Sequence, residues 1–532
     1  MAACPVLGVS DLAAYTGNSI IGPRWPLFWA GCTAIAAGVL LHLPMLAMAH
    51  RMGNHLHGMA MDGWMYMGMA LIGIGVPLAI VGALPRRRPV HGANAGTSYE
   101  AADDTPLNRS HAAVLAVLVL ALVIDTMKPA TLGFVIPGMR GEYGISRSAA
   151  ALLPLAALSG TVVGSFVWGL LADLYGRRVS ILLSTILFVS TAICGAMPSY
   201  GWNLVMCFLM GSSAGGMLPV VYTLLAEIMP PRHRNWVLVL VGGTGLVGGY
   251  LAASGAAHLF EPVYGWRSLW LLGFPTGIAL LALARWIPES PRFLAERGRG
   301  GELADMARRF GIVPRPRPAM TDTAPAPAAQ PLTTGTHRFL TPALVLAALA
   351  WSFVTFGLLL WLPSDLQDRG FDAGLASGII ASSSLLALPT IALAALFYSR
   401  WSSVKTLVGT VLLTMAGLAG ALLPPALLAQ PPVLIAVIAL LVVGSNGLIA
   451  VLLPYAAENY PLGIRGRATG LVAASSKFGG VVIQLGALIG LIPTLGGVAA
   501  ALLLPFALAA AAIAAFGRET RGRSLREIEA EG

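Results

Sequence analysis

Fourteen apolar stretches, most of them about 20 residues long and nearly free of charge, run through this 532-residue chain. Such a stretch is long enough to cross the roughly 30 Å hydrocarbon layer of a bilayer as an α-helix. Only 11% of the residues are charged, which is too few to cover the surface of a water-soluble protein of this length. The pattern predicts an all-α polytopic membrane protein with fourteen transmembrane helices.

The apolar stretches fall into a group of two followed by two groups of six. A Pro/Ala-rich segment from Pro314 to Pro331 lies between the two larger groups and is expected to be disordered. The predicted boundaries are 1–84 for two extra N-terminal helices, 85–111 for a linker, 112–287 for the first six-helix half, 288–340 for a loop, 341–516 for the second half and 517–532 for a tail.

The positive charges are distributed unevenly between the two sides that this topology defines. With the N-terminus in the cytoplasm, about 26 of the 33 Lys and Arg residues fall on the cytoplasmic side, five fall outside and two lie within spans. This asymmetry predicts cytoplasmic positions for both termini and the linker, and a bacterial inner membrane is the expected location. It also accounts for the net charge of +10 without a nucleic-acid partner.

The two six-helix groups carry the same short motifs at the same offset. Near the end of the fourth helix of each group the chain reads E-x-x-P-x-x-x-R, starting at Glu227 and at Glu458, 231 residues apart. After the sixth helix of each group come P-E-S-P-R-F-L, with Glu289, and R-E-T-R-G-R-S-L, with Glu519, 230 residues apart. Two motifs repeated at one offset indicate duplicated halves, which are expected to enclose a path at the bilayer midplane.

Residues 169–178 read G-L-L-A-D-L-Y-G-R-R and lie between the second and third helices of the first half. This string resembles the cytoplasmic loop signature of the major facilitator superfamily, whose two six-helix halves alternate between two openings. The glycines allow close packing and a tight turn, and Asp173 is expected to pair with Arg177 or with a helix end across the seam between the halves. The resemblance implies a conformational latch formed by Gly169, Asp173, Gly176, Arg177 and Arg178. The corresponding loop of the second half, 399–405, lacks the acidic residue.

The duplicated glutamate motifs are similar to those of sugar porters and of organic-ion and synaptic-vesicle-protein-like transporters, and the similarity covers about 112–530. In that group these side chains form a charge network that braces the closed cytoplasmic gate. The alternative is that each one is an independent, solvated helix cap. The resemblance implies a gate network of Glu227, Arg234, Glu289, Arg292, Glu458, Arg465 and Glu519.

Three charged residues lie inside predicted spans. Asp125 and Lys128, in V-I-D-T-M-K-P-A, are three residues apart on one helix and are expected to be able to neutralise each other. Lys477 lies alone in the eleventh helix of the two halves. Charges at this depth are costly and commonly face a water-filled cavity, so all three are candidates for substrate binding or coupling. The alternatives to a role in transport are that Asp125 and Lys128 form a purely structural pair, and that the Lys477 side chain snorkels toward the membrane surface.

Aromatic residues of the seventh helix of the two halves, Trp351, Phe356 and Trp361, are candidate walls of a substrate cavity. Many transporters of the similar group carry R-F-x-x-G in the fourth helix, where the Arg is tied to proton coupling. Here the string is C-F-L-M-G, with Cys207 at that position. Proton coupling therefore stays open, and Asp125 is the best candidate for its carrier.

Residues 42–69, in and between the two extra helices, hold eight of the 19 methionines and four of the nine histidines. Thioethers and imidazoles are ligands for copper. The segment suggests a soft-metal site formed by His55, His57, Met59 and Met61. The alternative is a Met-rich membrane helix with scattered loop histidines, because no ligand spacing repeats.

Three functions are compatible with these features. The first is a secondary active transporter that moves a small, anionic organic metabolite by alternating access. The second is a copper-type transporter that uses the Met/His segment, and the third is a non-transporting sensor on a transporter fold. We expect no enzymatic activity and no cofactor, because no phosphate loop or catalytic metal spacing is evident. The expected partners are a small-molecule substrate, membrane lipid and, if transport is coupled to them, protons, and we expect a functional monomer.

Overall fold

A computed structural model describes residues 24–84, 97–102, 105–316, 337–460, 462–491 and 494–521, without the side chains of 97–101, 315–316, 337 and 462–466. Within these ranges, fourteen helices are long and apolar enough to span a membrane, which confirms the predicted number. They are α1 (Trp25–Arg51), α2 (Gly63–Ala83), α3 (Arg109–Tyr143), α4 (Arg147–Tyr175), α5 (Arg177–Ala196), α6 (Tyr200–Ile228), α7 (Pro231–Tyr264), α8 (Ser268–Trp286), α9 (Arg338–Asp368), α10 (Ala373–Arg400), α11 (Ser403–Gly420), α12 (Pro431–Asn459), α13 (Arg467–Leu488) and α14 (Leu495–Phe516).

Helix α3 is longer than the apolar stretch at 112–136 because its ends are capped by polar and glycine residues outside that stretch. The Asn108 side chain accepts hydrogen bonds from the backbone N–H groups of Ser110 and His111, which satisfies donors that have no partner in the first turn. At the other end, Gly144 adopts a left-handed conformation with φ of 62°, and this stops the helix.

The extra helices α1 and α2 form an antiparallel hairpin that packs on the first half. Glycines bring their backbones into contact: a Cβ on Gly31 would lie 2.5 Å from the backbone nitrogen of Ala79. Both helices contact α5, and the Arg178 guanidinium at the start of α5 lies 5.8 Å from the ring centre of Trp25. As a result, nearly all residues of α5 are buried.

The linker and the loop between the halves meet in a small two-stranded sheet. Strand β1 (Thr97–Ala101) pairs antiparallel with β2 (Ile312–Pro316), with Ala101 opposite Ile312. Two short helices, Pro291–Glu296 and Gly300–Phe310, connect α8 to β2. The expectation of disorder from Pro314 onward is wrong for the first three residues, because strand pairing orders them. The rest of that segment lies outside the described residues.

The two halves, α3–α8 and α9–α14, meet along a seam where α7 contacts α10 and α12, and α4 contacts α13. We call the end that carries Arg177 and Arg234 the basic end, and the opposite end the far end. At the far end, the Arg147 guanidinium lies 3.0 Å from the Asp368 carboxylate, and Arg140 lies 3.6 Å from it. These contacts join α3 and α4 to α9, so they hold the two halves together.

Candidate functional site

Asp125 and Lys477, near the middle of α3 and α13, belong to different halves and lie close enough for their opposite charges to attract across the seam. Each side chain keeps some accessible surface, although protein surrounds both charged groups. An isolated charge at this depth is costly, and the attraction between the two charges offsets part of that cost. The structure therefore brings together two of the predicted residues that lie 352 positions apart.

The expected neutralisation of Asp125 by Lys128 is wrong. The Lys128 ammonium is buried inside the first half and donates to the carbonyl oxygen of Phe188 at 2.8 Å and to Thr191 Oγ1 at 2.5 Å. The two acceptors lie where α5 changes from an α-helix, which ends at Ser190, to a 3-10 helix at Thr191–Ala196. Residues three apart on a helix are neighbours, but side chains of this length can still point to different partners. Lys128 thus braces α3 against α5.

The aromatic residues of α9 surround a π-helical turn, Phe353–Leu359. The Lys477 ammonium lies 5.8 Å from the ring centre of Phe356, and the Trp351 ring packs edge-on against Phe356 at 6.0 Å. A cation near an aromatic face is attracted by the ring quadrupole. The seam therefore offers a positive charge beside an aromatic surface, with a carboxylate opposite.

Trp361 does not contact Lys477 directly but is linked to Phe356 through Gln484, a residue that the motif analysis missed. Gln484 is fully buried; its Nε2 donates to the Phe356 carbonyl oxygen at 2.6 Å, and its Oε1 accepts from Trp361 Nε1 at 3.2 Å. The Arg147 guanidinium lies 5.5 Å from the Trp361 ring centre. Trp361 therefore lies between the π-helical turn and the far-end ion pairs. The sequence signal was a single amide in an apolar helix, which is costly unless it is hydrogen-bonded.

At the basic end, the glutamates of the first half bind the start of α5. Glu289 accepts from the backbone N–H groups of Arg177 at 2.6 Å and Ser290 at 2.9 Å, and burial raises the pKa of this carboxyl although those hydrogen bonds oppose the shift. Glu227 accepts from the Ser290 hydroxyl and lies 3.5 Å from the Arg177 guanidinium. Asp173 also lies 3.5 Å from Arg177 and is largely exposed. The predicted Asp173–Arg177 pair is thus present.

The second half repeats this arrangement with different side chains. Glu519 accepts from the backbone N–H of Ser403 at 2.8 Å and from the Ser402 hydroxyl. Glu458 accepts from Thr520 Oγ1 at 2.6 Å and from the Tyr398 hydroxyl at 2.7 Å. In each half, the glutamate after the last helix binds the start of the third helix, and the hydroxyl next to it binds the glutamate of the fourth. The repeat predicted from sequence is therefore also a repeat of hydrogen bonds.

The remaining gate candidates differ in what they contact. Arg234 at the start of α7 lies close enough to Glu458 for attraction across the seam. Arg292 pairs with its neighbour Glu296 at 2.8 Å, and both side chains are exposed. This pair is a local, solvated contact, but Arg292 also lies close enough to Glu227 for their charges to attract. The Arg465 side chain lies outside the described residues.

The two glycines of the latch string behave differently. Gly176 has φ of 105°, and a Cβ there would lie 2.3 Å from the Glu289 carboxylate, so this position requires glycine. Gly169 is exposed, and nothing lies within 4 Å of the place where its Cβ would be. The expectation of close packing at Gly169 is wrong in this conformation.

The candidate metal residues lie in the segment between α1 and α2. His55 and His57 are exposed, and Met59 and Met61 are partly buried. Over the described ranges, no group of three or more His, Cys, Asp or Glu side chains could hold a metal ion. The segment is held instead by Glu142, whose Oε1 accepts from the backbone N–H groups of Leu56 at 2.7 Å and His57 at 2.9 Å.

Two six-helix halves with a duplicated network at one end and opposed charges at their seam are the architecture of a membrane transporter. The comparisons with known proteins agree with this class. The family model of the Major Facilitator Superfamily matches residues 114–484. The chain belongs to the Major Facilitator Superfamily, and its relatives are transporters rather than enzymes.

Curated relatives include the niacin transporter NiaP of Acinetobacter baylyi, 26% identical over 80% of this chain and 98% of the relative. The gallate transporter of Pseudomonas putida is 30% identical over 52% of this chain and 63% of its own length. The 4-hydroxybenzoate transporter PcaK of Acinetobacter baylyi is 30% identical over 37% and 43%. Among solved structures, the proton:xylose symporter XylE bound to 6-bromo-6-deoxy-D-glucose matches with a TM-score of 0.61 and 18% identity over 79% of this chain and 98% of that one, a likeness of fold.

Proposed function

We propose that this protein is a secondary active transporter of small aromatic carboxylates. The observation that carries the proposal is the opposition of Lys477 and Asp125 across the seam, beside the ring of Phe356. In an aromatic carboxylate, the carboxylate can pair with the Lys477 ammonium while the ring packs against the aromatic face of Phe356. Nicotinate, gallate and 4-hydroxybenzoate, the compounds in the relatives' names, all have this chemistry.

The charges at the seam suggest how substrate binding is coupled to protons. In the empty protein, Lys477 attracts Asp125. A substrate carboxylate competes for Lys477, so its arrival weakens the attraction between Lys477 and Asp125 at the middle of the membrane. Asp125 then takes up a proton, because loss of a nearby positive charge favours the neutral carboxyl. The positive charge of Lys477 is then balanced by the substrate carboxylate alone. One proton would accompany one carboxylate.

Movement of one half, 112–287, against the other, 341–516, would expose this site to each side in turn. We propose that the far-end contacts of Arg147 with Asp368 close one opening, while the attraction between Arg234 and Glu458 contributes to closing the other. The proposed location is a bacterial inner membrane with the basic end in the cytoplasm, as the charge asymmetry indicates.

The test is uptake of radiolabelled nicotinate, 4-hydroxybenzoate and gallate by proteoliposomes that contain the purified protein, with and without an imposed pH gradient. We expect accumulation of at least one acid, driven by an inward proton gradient. Lys477→Gln should raise the KM for the acid about tenfold or more, since a charge-assisted contact is lost. Asp125→Asn should abolish gradient-driven accumulation but spare exchange of labelled for unlabelled acid.

Matched controls are Lys405→Gln and Asp305→Asn, which change exposed side chains at the basic end and should transport like the parent. If none of the acids is taken up, the proposed substrate class is wrong. If Lys477→Gln and Asp125→Asn both behave like their controls, the seam charges have no part in transport. Accumulation of copper but of none of the acids would favour a soft-metal transporter instead.

A further inference from the structure

Within five residues of α9, three polar atoms are buried without a hydrogen-bond partner among the described residues: Trp351 Nε1, Ser352 Oγ and Thr355 Oγ1. Trp351 is only 4% exposed and Ser352 is fully buried. Native structures contain few such atoms, because a buried polar group that bonds to nothing costs free energy. Three of them within five residues of one helix need an explanation.

The usual arrangement for a hydroxyl in a membrane helix is found elsewhere in this chain. Thr161 donates to the Ala157 carbonyl oxygen at 2.9 Å, and Ser475 donates to that of Leu471 at 2.8 Å. Such bonds satisfy a serine or threonine within its own helix. Ser352 and Thr355 do not form them, so their hydroxyls have no hydrogen-bond partner in this conformation over the described ranges.

The three atoms adjoin the proposed substrate site. The part of α9 that carries them packs against α13. Ser352 packs against Gly479, where an added Cβ would lie 2.8 Å from the serine Cβ. The ring of Phe356 packs against Gly480 in the same way, at 2.6 Å. The Lys477 ammonium that lies near the Phe356 ring is on the same helix as these glycines.

The π-helical turn adds a second reason to place a site here. It spans Phe353–Leu359 and therefore includes both Thr355 and Phe356. A π-turn is an irregularity that frequently occurs at functional sites, because it changes the direction of the side chains that follow. The extra residue in this turn shifts Phe356 relative to Trp351 and Ser352.

We propose that Trp351, Ser352 and Thr355 form a subsite that hydrogen-bonds a second polar group of the substrate, on the ring that carries the carboxylate. This deepens, and rests on, the proposed function. The indole N–H donates only, whereas the two hydroxyls donate and accept. The subsite therefore suits a ring hydroxyl or a ring nitrogen. The preferred substrates are hydroxylated or nitrogen-containing aromatic acids rather than unsubstituted ones.

The experiment compares labelled 4-hydroxybenzoate and nicotinate with benzoate, which has no second polar group, in proteoliposomes of the full chain. For the parent protein, the KM for benzoate should exceed that for the better of the other two by about tenfold or more, as expected for a site built to hydrogen-bond its ligand. Thr355→Val and Ser352→Ala remove the hydroxyls with little change in shape. Each should raise the KM for the preferred acid about three- to tenfold and leave that for benzoate unchanged.

Thr161→Val is the matched control, because the Thr161 hydroxyl is already bonded within its own helix. This variant should have the same ratio of the KM for benzoate to the KM for the preferred acid as the parent protein. Benzoate transport in each variant also shows that the protein is folded. Equal KM values for all three acids in the parent would overturn the subsite but not the proposed function. An equal change in the KM for benzoate and in the KM for the preferred acid, in Thr355→Val and Ser352→Ala, would also overturn the subsite but not the proposed function. If none of the three acids is transported, both proposals fail.

Discussion

The ion pair between Glu142 and Arg267 offers a sharp test of how the extra hairpin is attached. The two side chains lie 2.6 Å apart, and each is only 2% exposed. Glu142 also accepts from the backbone of Leu56 and His57 in the segment between α1 and α2. The substitution Glu142→Gln keeps the size of the side chain, removes its charge and replaces one acceptor oxygen by a donor nitrogen. It should destabilise both the first half and the attachment of the hairpin.

The size of the effect follows from the bonds that are lost. Removing one partner of a buried ion pair costs about 3–5 kcal/mol. The lower end applies here, because the Arg267 guanidinium also donates to the carbonyl oxygens of Gly195 and Met197, both at 2.9 Å. Whichever oxygen becomes nitrogen, at least one further donor loses its acceptor, either Trp266 Nε1 or the N–H groups of Leu56 and His57, and this adds about 1 kcal/mol. The free energy of unfolding should therefore fall by about 4 kcal/mol, and the apparent Tm by about 4–8 °C.

The measurement is thermal unfolding of the purified protein in detergent, followed by the loss of the monodisperse peak in gel filtration. Glu296→Gln is the matched control, because Glu296 lies 2.8 Å from Arg292 in an exposed pair. An exposed pair contributes about 1 kcal/mol or less, so the control should melt within about 2 °C of the parent. Equal melting temperatures for both variants would refute the buried pair as an anchor.

Reporter fusions after Ala95 and Pro318 should both give a cytoplasmic signal, and an outside signal from either contradicts the topology. Asp173→Asn should impair transport far more than Ser399→Ala at matched expression, because only the first-half loop carries the acidic partner of an arginine; similar losses would show that no latch acts there. Burial alone would raise the pKa of Glu519, but hydrogen bonds from serines outweigh it and lower the pKa. Its stabilisation is therefore present above the ordinary Glu pKa and is lost as pH falls through the lowered value. Glu519→Gln should lower the Tm at pH 7 and have a smaller effect near pH 3, and a shift that does not depend on pH would contradict this.

The sequence predicted the structure correctly where a motif repeats, and where the length of an apolar stretch alone determines that it forms a membrane span. The fourteen spans follow from apolar length, and the duplicated glutamates Glu227 and Glu458 were found by their common spacing. Their hydroxyl partners, Ser290 and Thr520, each follow a motif glutamate directly and share the same chemistry. Spacing in the chain and position in the fold agree here because the two halves repeat one structure.

The same reasoning failed for Lys128, because local spacing was taken to decide a contact that packing decides. Asp125 and Lys128 are near in sequence, but α5 supplies better partners for the ammonium. The attraction between Asp125 and Lys477 depends on how the halves dock, which no local pattern records. Gln484 was missed for a related reason: its partner carbonyl becomes available only through the π-turn, and nothing in the residue pattern predicted that turn.

The cover that α1 and α2 place over α5 bears on the order in which the protein is made. The hairpin leaves the ribosome before α5 does, since it precedes α5 by about 100 residues in the chain. When α5 enters the membrane, the surface that will cover it is already present, so the helix can exchange lipid for protein at once. A chain that starts after the hairpin would insert α5 with that side facing lipid, and Leu56 and His57 would no longer be there to bind Glu142. The hairpin is thus present before the first half is complete during synthesis. Deletion of α1 and α2 would therefore impair assembly of the first half before it impairs transport.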